Sequence, residues 1–166
     1  MLFVFCSKVT FYISIKLILQ FSVFTATVLA ECPVTWHHYE DSCYFFSHEK
    51  LNWFNAQGSC RAHDARLAEV LSRNQQDFLR YTASLYGTSS DFWLGARDDL
   101  EEGKWQWSFT KNYFSFTDWA PHEPMDGLSA NCLQMWSAHN WQWDDYPCTA
   151  ERKYICESKI PETVVG

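Results

Sequence analysis

The pattern of hydrophobic and polar positions changes along this chain, and each pattern predicts a different kind of element, either short strands or a helix. Aromatic residues are dense between Trp36 and Phe46, around the polar pair Asp41-Ser42, which predicts two short strands joined by a turn. Three residues then recur at helical spacing: Trp53, Ala56 and Cys60. They predict a first helix from about Asn52 to His63, with Cys60 facing the core.

A second helix is predicted after Ser72. Ser72 and Gln75 have the spacing of a capping box, in which the first side chain caps the helix and the third helical residue reaches back. Three later residues are expected to form the apolar face of this helix. They are Phe78, Leu79 and Leu85.

From Asp91 onward the pattern changes to short strands and loops. The predicted strands are Phe92–Gly95, Lys104–Trp107, Cys132–Trp136, Trp141–Trp143 and Tyr154–Cys156. Two helices followed by several short strands indicate an α+β fold in which helices pack on antiparallel sheet. No repeat or linker interrupts residues 32–157, so we expect one domain.

The first thirty residues have the composition of a secretory signal. They contain no acidic residue, carry Lys8 and Lys16, and are mostly apolar up to Ala30. The alternative is a signal anchor, but the uncharged stretch of 14 residues after Lys16 is shorter than the roughly 20 residues of a spanning helix. We therefore expect a signal peptide at 1–30, a domain at 31–158, a tail at 159–166, a secreted protein and no membrane span in the mature chain.

Removal of that segment also removes Cys6 and leaves six cysteines. An even number in a small secreted chain predicts disulfides. No Cys-x-x-Cys pair is present, which argues against a zinc site. The sequence alone allows fifteen pairings of six cysteines.

The mature chain is acidic, with 20 acidic residues against 11 of the 13 basic ones and a net charge of −9. This charge argues against nucleic-acid or anionic-membrane partners and is mildly suggestive of cation binding, although an acidic soluble surface is the better explanation for most of the charges. Motifs of hydrolases, metalloproteases and nucleotide-binding enzymes are absent from the sequence, and the six histidines are scattered. We expect a binding protein and not an enzyme.

An oxygen-rich segment near the C-terminus carries the candidate chemistry. Glu123-Pro124-Met125 is followed by Asn131-Cys132 and by Trp143-Asp144-Asp145 before Cys148. Together with Trp93-Leu94-Gly95, this segment resembles the long-loop region of the C-type lectin domain family, in which Glu-Pro-Asn, Trp-Asn-Asp and Trp-Ile-Gly are frequent. The resemblance extends over residues 32–157 and is strongest for small secreted lectins of invertebrates.

The resemblance implies a C-type lectin-like fold with a long cation-binding loop and three disulfides. The pairing that it implies is Cys32–Cys43, Cys60–Cys156 and Cys132–Cys148, of which the first marks the long form of the domain. It also implies a principal Ca²⁺ site, for which Glu123, Asp144 and Asp145 keep oxygen ligands. Met125 and Ala130 stand where the family has two further ligands, so this site is expected to be weakened.

A second, auxiliary Ca²⁺ site is implied by four other residues. They are Asp98, Glu102, Asp126 and Asn131. The alternative for the acidic run from Asp98 to Glu102 is a solvated turn.

The expected function is binding of a carbohydrate or glycoprotein, with Ca²⁺ as cofactor. Glu123, Asp144 and Asp145 would contact the ligand, and Trp136 or Trp141 would stack on a sugar ring. At least two-thirds of the nine tryptophans are expected in the core, which leaves Trp119, Trp136 and Trp141 as surface candidates. Two alternatives stand beside this function: cation-independent binding of a protein, and an acidic extracellular or mineral-matrix role. The sugar and the oligomeric state are left open.

Overall fold

The structure is a computed structural model that describes residues 31–125 and 129–160. The predicted signal peptide at 1–30, Asp126, and residues 161–166 of the predicted tail lie outside the described residues. The described residues form two α-helices and eight strands. In chain order these are β1 His37–Tyr39, β2 Ser42–Phe46, α1 Trp53–Ala62, β3 Arg66–Leu67, α2 Arg73–Leu85, β4 Phe92–Arg97, β5 Gln106–Trp107, β6 Cys132–Trp136, β7 Gln142–Tyr146 and β8 Lys153–Lys159, with a 3₁₀ turn at Ser137–His139 between β6 and β7.

The strands are hydrogen-bonded in the order β1-β2-β8-β4-β6-β7, with β3 beside β8 and β5 beside β4. This confirms the α+β class. All pairs are antiparallel except β4 with β8, which run parallel, with Phe92 opposite Lys153. No hairpin joins these two strands, so no local turn imposes an antiparallel direction on them.

Both helices begin close to their predicted starts, and a side chain caps each of them. Asn52 accepts a hydrogen bond from Asn55 N at 2.9 Å, and Ser72 accepts one from Gln75 N at 3.2 Å. The Gln75 side chain reaches back to Leu71 N at 2.8 Å, one residue before the position that a capping box specifies. Side chains on both sides of the first turn of α2 therefore hydrogen-bond to backbone N–H groups at its N-terminus.

One predicted core position is wrong. Leu85 is 63% exposed, whereas Leu79 is fully buried. Leu85 lies seven residues after Phe78, almost in line with it on a helix of 3.6 residues per turn, and Phe78 is only half-buried at the edge of the packed face. Leu85 lies on the same edge of the helix in its last turn, where it is exposed to solvent.

The core divides into two apolar clusters on the sheet. Trp53, Ala56 and Cys60 of α1 pack against Trp93 of β4 and Tyr154 of β8. The larger cluster lies under α2 and includes Leu79, Phe92, Leu94, Trp107 and Trp143. Six of the nine tryptophans are buried: Trp53, Trp93, Trp105, Trp107, Trp141 and Trp143. The fraction agrees with the prediction but the set does not, because Trp141 was a surface candidate and Trp36, which was not, is only half-buried.

Three disulfides connect this framework, and their pairing is the one that the resemblance implies: Cys32–Cys43, Cys60–Cys156 and Cys132–Cys148. Strand β8 extends to Lys159, and Ile160 N donates to Asp41 O at 3.0 Å, so ordered structure runs two residues beyond the predicted boundary at 158. Within 31–125 and 129–160, no helix is long and apolar enough to cross a membrane.

Candidate cation and ligand site

Three of the predicted ligand residues meet at one end of the sheet. Carboxylate oxygens of Glu123, Asp144 and Asp145 all lie within 4.8 Å of one another. Asp144 and Asp145 are 7% exposed each, and Glu123 is half-buried. The two aspartates lie in β7, which is longer than predicted and ends at Tyr146. A regular strand, not irregular loop, therefore carries two members of the cluster.

The chain before Glu123 reaches the cluster because it runs beside β7. Trp143 N donates to Asp118 O and Ala120 N donates to Trp143 O, each at 2.8 Å. Glu123 N then donates to Ala120 O at 3.0 Å, and this turn brings the Glu123 side chain back over β7. The peptide bond between Glu123 and Pro124 is cis. Backbone pairing thus places Glu123 next to two residues that follow it by more than twenty positions.

Met125 takes part in the cluster through its backbone and not through its side chain. Met125 N donates to Glu123 Oε2 and to Asp145 Oδ1, both at 2.9 Å. The Met125 side chain is 65% exposed. A hard cation gains little from a thioether, and Met125 instead contributes a backbone N–H that bridges two carboxylates.

Burial raises the pKa of every aspartate in the cluster. Burial raises the pKa of Asp145 to about 6, with the N–H of Met125 opposing this shift and the neighbouring Glu123 adding to it. Burial also raises the pKa of Asp144, while the hydrogen bond from Gln134 opposes the shift and Asp145 reinforces it. The cluster concentrates negative charge at a buried position, which a bound cation would relieve.

A cavity of about 470 Å³ opens over the cluster. Its walls include Trp136, Tyr146, Met125 and Arg152 as well as the three acids. Trp136 is half-buried and packs on His139 with ring centroids 4.0 Å apart. The cavity therefore combines acceptor oxygens with aromatic surface.

The expected exposure of Trp141 is wrong. Trp141 is 6% exposed, belongs to the larger apolar cluster and donates from Nε1 to Ser90 O at 3.0 Å. Its residue type is compatible with either a surface or a core position, and only packing decides between them. Trp119 is half-buried against Trp105 and Trp143, away from the residues that line this cavity.

The auxiliary residues divide between a buried and an exposed group. Asp98 is 3% exposed and its Oδ2 accepts from Gly103 N at 3.0 Å, whereas Glu102 is exposed. Among the described residues, Asp98 Oδ1 and Asn131 Oδ1 are buried without a hydrogen-bond partner. Burial raises the pKa of Asp98, and the charge of Asp145 contributes to that shift. Orphaned buried oxygens of this type fit a hard cation.

Asp98 is therefore not part of a solvated turn, although the residues that follow it are exposed. The sequence pattern also missed four residues that lie behind or beside the acidic cluster. They are Asp91, Gln134, Tyr146 and Arg152. One signal was available: Gln134 is a polar residue in the middle of the apolar strand β6.

The comparisons with known proteins agree with this fold. The sequence profile of the Lectin C-type domain matches residues 49–158, and the chain belongs to the C-type lectin domain family. This is a family of carbohydrate-binding domains, typically with Ca²⁺, and not of enzymes.

Perlucin of Haliotis laevigata is 34% identical over 135 residues, which cover 80% of this chain and 86% of perlucin. The mouse scavenger receptor C-type lectin carbohydrate-recognition domain is 25% identical with a TM-score of 0.73, covering 79% of this chain and 100% of that domain. A Ca²⁺-dependent type II antifreeze protein in its Ca²⁺-free form is 32% identical with a TM-score of 0.71, covering 77% and 100%. One fold thus serves relatives whose names state different ligands.

Proposed function

We propose that this chain is a secreted glycan-recognition protein whose binding site is the cavity over Glu123, Asp144 and Asp145. The observation that carries the proposal is the convergence of these three carboxylates, two of them buried, from two separate segments. Bringing like charges together in a partly buried site costs free energy unless an opposite charge joins them. Hard cations such as Ca²⁺ take oxygen ligands of this kind.

The chain's own residues have separate roles in this proposal. Glu123, Asp144 and Asp145 would hold the ion and accept hydrogen bonds from sugar hydroxyls, since ionised carboxylates are acceptors only. A bound Ca²⁺ would supply further positions for sugar oxygens. Trp136 offers a flat apolar surface at the cavity wall for a sugar ring.

The principal site is expected to bind Ca²⁺ weakly because Met125 and Ala130 supply no oxygen from their side chains. We propose that the tighter ion sits at the auxiliary site, with Asp98 and Asn131 as ligands and with Glu102 and Asp126 as the further members that the sequence implies. Asp98 Oδ1 and Asn131 Oδ1 are buried and have no hydrogen-bond partner within residues 31–125 and 129–160, which supports this order.

A second candidate is cation-independent binding of a protein ligand by the same loop. It is favoured by the N–H of Met125, which already links Glu123 and Asp145 without any ion. A mineral or matrix role rests on the exposed acids and the net charge of the mature chain alone. Adsorption to calcium mineral that free sugars do not inhibit would support that role.

A glycan array probed with the secreted protein, in Ca²⁺ and in chelator, tests the proposal directly. Chelator-sensitive retention on glycans is the expected result. Binding to a protein partner that persists in chelator would favour the second candidate instead. N-terminal sequencing of the secreted protein should begin at Glu31.

A repair variant tests whether the missing ligands explain the weakness. Met125→Asn with Ala130→Glu would restore two oxygen ligands, and Asp144→Asn would return an amide donor for a sugar hydroxyl. The triple variant should be retained more strongly than the parent on a mannose column in Ca²⁺, and chelator should elute it. Each single change should do little, because ligands of one ion act non-additively. A parent that is retained as strongly as the triple variant would contradict the weakened site.

A further inference from the structure

Behind Asp144 lies the buried polar side chain of Gln134, which hydrogen-bonds to two charged residues. Gln134 is 1% exposed and lies opposite Asp144 across the β6–β7 pair. Its Nε2 donates to Asp144 Oδ2 at 2.6 Å, and its Oε1 accepts from Arg152 Nε at 2.9 Å. Asp144 therefore faces the cavity on one side and accepts a hydrogen bond from the buried Gln134 amide on the other.

Arg152 is held in place from several directions. Its Nε lies 3.5 Å from Asp91 Oδ2, and its guanidinium carbon lies 4.3 Å from the centroid of the Tyr146 ring. Its backbone N–H and carbonyl pair with Leu51 at 3.0 and 2.9 Å. The side chain is 22% exposed. A guanidinium constrained in this way presents its Nε–H to Gln134 in a fixed direction.

This arrangement permits one orientation of the Gln134 amide. Arginine is a donor only, and an ionised aspartate is an acceptor only. The amide oxygen must therefore face Arg152 and the NH₂ group must face Asp144. Without Arg152 the buried amide oxygen would lose its donor, and the amide would be less firmly held in the orientation that directs its NH₂ group at Asp144. The hydrogen bond from Gln134 holds Asp144 Oδ2, and this restricts the rotation of the carboxylate and the direction in which Asp144 Oδ1 points.

The same arginine also connects to the segment that carries the aromatic wall. Asp91 Oδ1 accepts from Ser137 N at 2.9 Å and from Ser137 Oγ at 2.7 Å. Ser137 directly follows Trp136 and begins the 3₁₀ turn that places His139 on its ring. Arg152 therefore contacts both the support of Asp144 and the residue that anchors the Trp136 segment.

We propose that Gln134 and Arg152 are positioning residues for cation binding, with Arg152 orienting the Gln134 amide and Gln134 orienting the Asp144 carboxylate. The inference rests on the proposed function, since it assumes that Asp144 is a cation ligand. Hydrogen-bonded partners of ligating groups typically change metal affinity by about 10–100-fold when they are removed.

The decisive variant is Gln134→Glu, tested in the full secreted protein by calorimetric titration with Ca²⁺. Ionised glutamate keeps the volume and the acceptor for Arg152 but has no donor for Asp144. Positioning predicts that Ca²⁺ affinity at the principal site falls by about tenfold or more. If only local charge mattered, an added carboxylate beside the site would raise the affinity. The two accounts therefore predict changes of opposite sign.

Arg152→Met is the second variant, and Arg66→Met is its matched control. Arg66 has a side chain that is 21% exposed, pairs with Glu157 at 3.2 Å and lies 4.4 Å from the Phe109 ring, so its surroundings match those of Arg152. Both substitutions should lower the melting temperature. Only Arg152→Met should also weaken Ca²⁺ binding by the folded protein.

Several outcomes would overturn the inference. Equal or tighter Ca²⁺ binding by Gln134→Glu removes the positioning role, and so does an Arg152→Met variant that binds like Arg66→Met. If Gln134→Glu does not fold, Arg152→Met against its control decides. A parent that binds no Ca²⁺ overturns the proposed function and this inference together, whereas a parent that binds Ca²⁺ with unaffected variants overturns the inference alone.

Discussion

Lowering the pH from 7 to 5 should weaken Ca²⁺ binding at the principal site, because protons and the cation compete for the same carboxylates. Burial raises the pKa of Asp145 to about 6. A group with that pKa is about 90% ionised at pH 7 and about 10% ionised at pH 5. Since metal ligands must be deprotonated, Asp145 alone should reduce the apparent affinity about tenfold over this range.

Buried carboxyl groups with a raised pKa should make the cation-free domain more stable in mild acid. A carboxyl whose pKa is raised in the folded state binds its proton more tightly there than in the unfolded chain, so stability falls as pH rises between the unfolded value near 4 and the folded value. Burial raises the pKa of Asp98, Asp144 and Glu157 as well as that of Asp145. The pKa of Asp41 is lowered by its hydrogen bond from Lys159, but this pair is at the surface and contributes little.

Thermal unfolding in chelator and in millimolar Ca²⁺ at pH 5, 6 and 7 measures both effects. In chelator, the melting temperature should rise from pH 7 to pH 5. In Ca²⁺, it should be highest at pH 7 and the difference between the two curves should shrink toward pH 5. Asp145→Asn should reduce the slope of the chelator curve and remove the part of the Ca²⁺ response that comes from the principal site, and Asp41→Asn is the surface-acid control. Parallel curves with and without Ca²⁺ would refute a cation site built on titrating carboxylates.

Three further outcomes are expected. The Cys60→Ala/Cys156→Ala variant should lose about 2–5 kcal/mol of unfolding free energy by urea titration, and more than loss of either other disulfide, because this bridge spans 96 residues; a parent-like midpoint would contradict that ranking. Asp98→Asn should weaken the tightest Ca²⁺ site in calorimetry more than Asp145→Asn does, and the reverse order would return the dominant role to the principal site. Gly95→Ala should cost about 1–3 kcal/mol or more, since an added Cβ would lie 2.5 Å from a carbonyl oxygen of β3; a melting temperature within a degree of the parent would show that the strands separate easily there.

Local chemistry made much of the fold predictable. The Ser72–Gln75 spacing predicted the start of α2, because a side-chain oxygen before a helix satisfies an N–H group two or three residues away. The cap of α1 at Asn52 is a finding of the structure. Helical spacing placed Cys60 in the core for a similarly local reason. The disulfide pairing is different: six cysteines leave fifteen pairings open, and only the family resemblance selected the one that the structure contains.

The sequence by itself determined which atoms are available, namely carboxylates at Glu123, Asp144 and Asp145 and no oxygen ligand on the Met125 side chain. The tertiary structure decided how they meet. Backbone pairing of the preceding loop with β7 brings Glu123 to the aspartates, and burial gives Asp145 a pKa of about 6. Packing also decided that Trp141 is in the core. These properties depend on contacts between residues distant in the chain, and burial and electrostatic environment are not encoded in any local pattern of residue types.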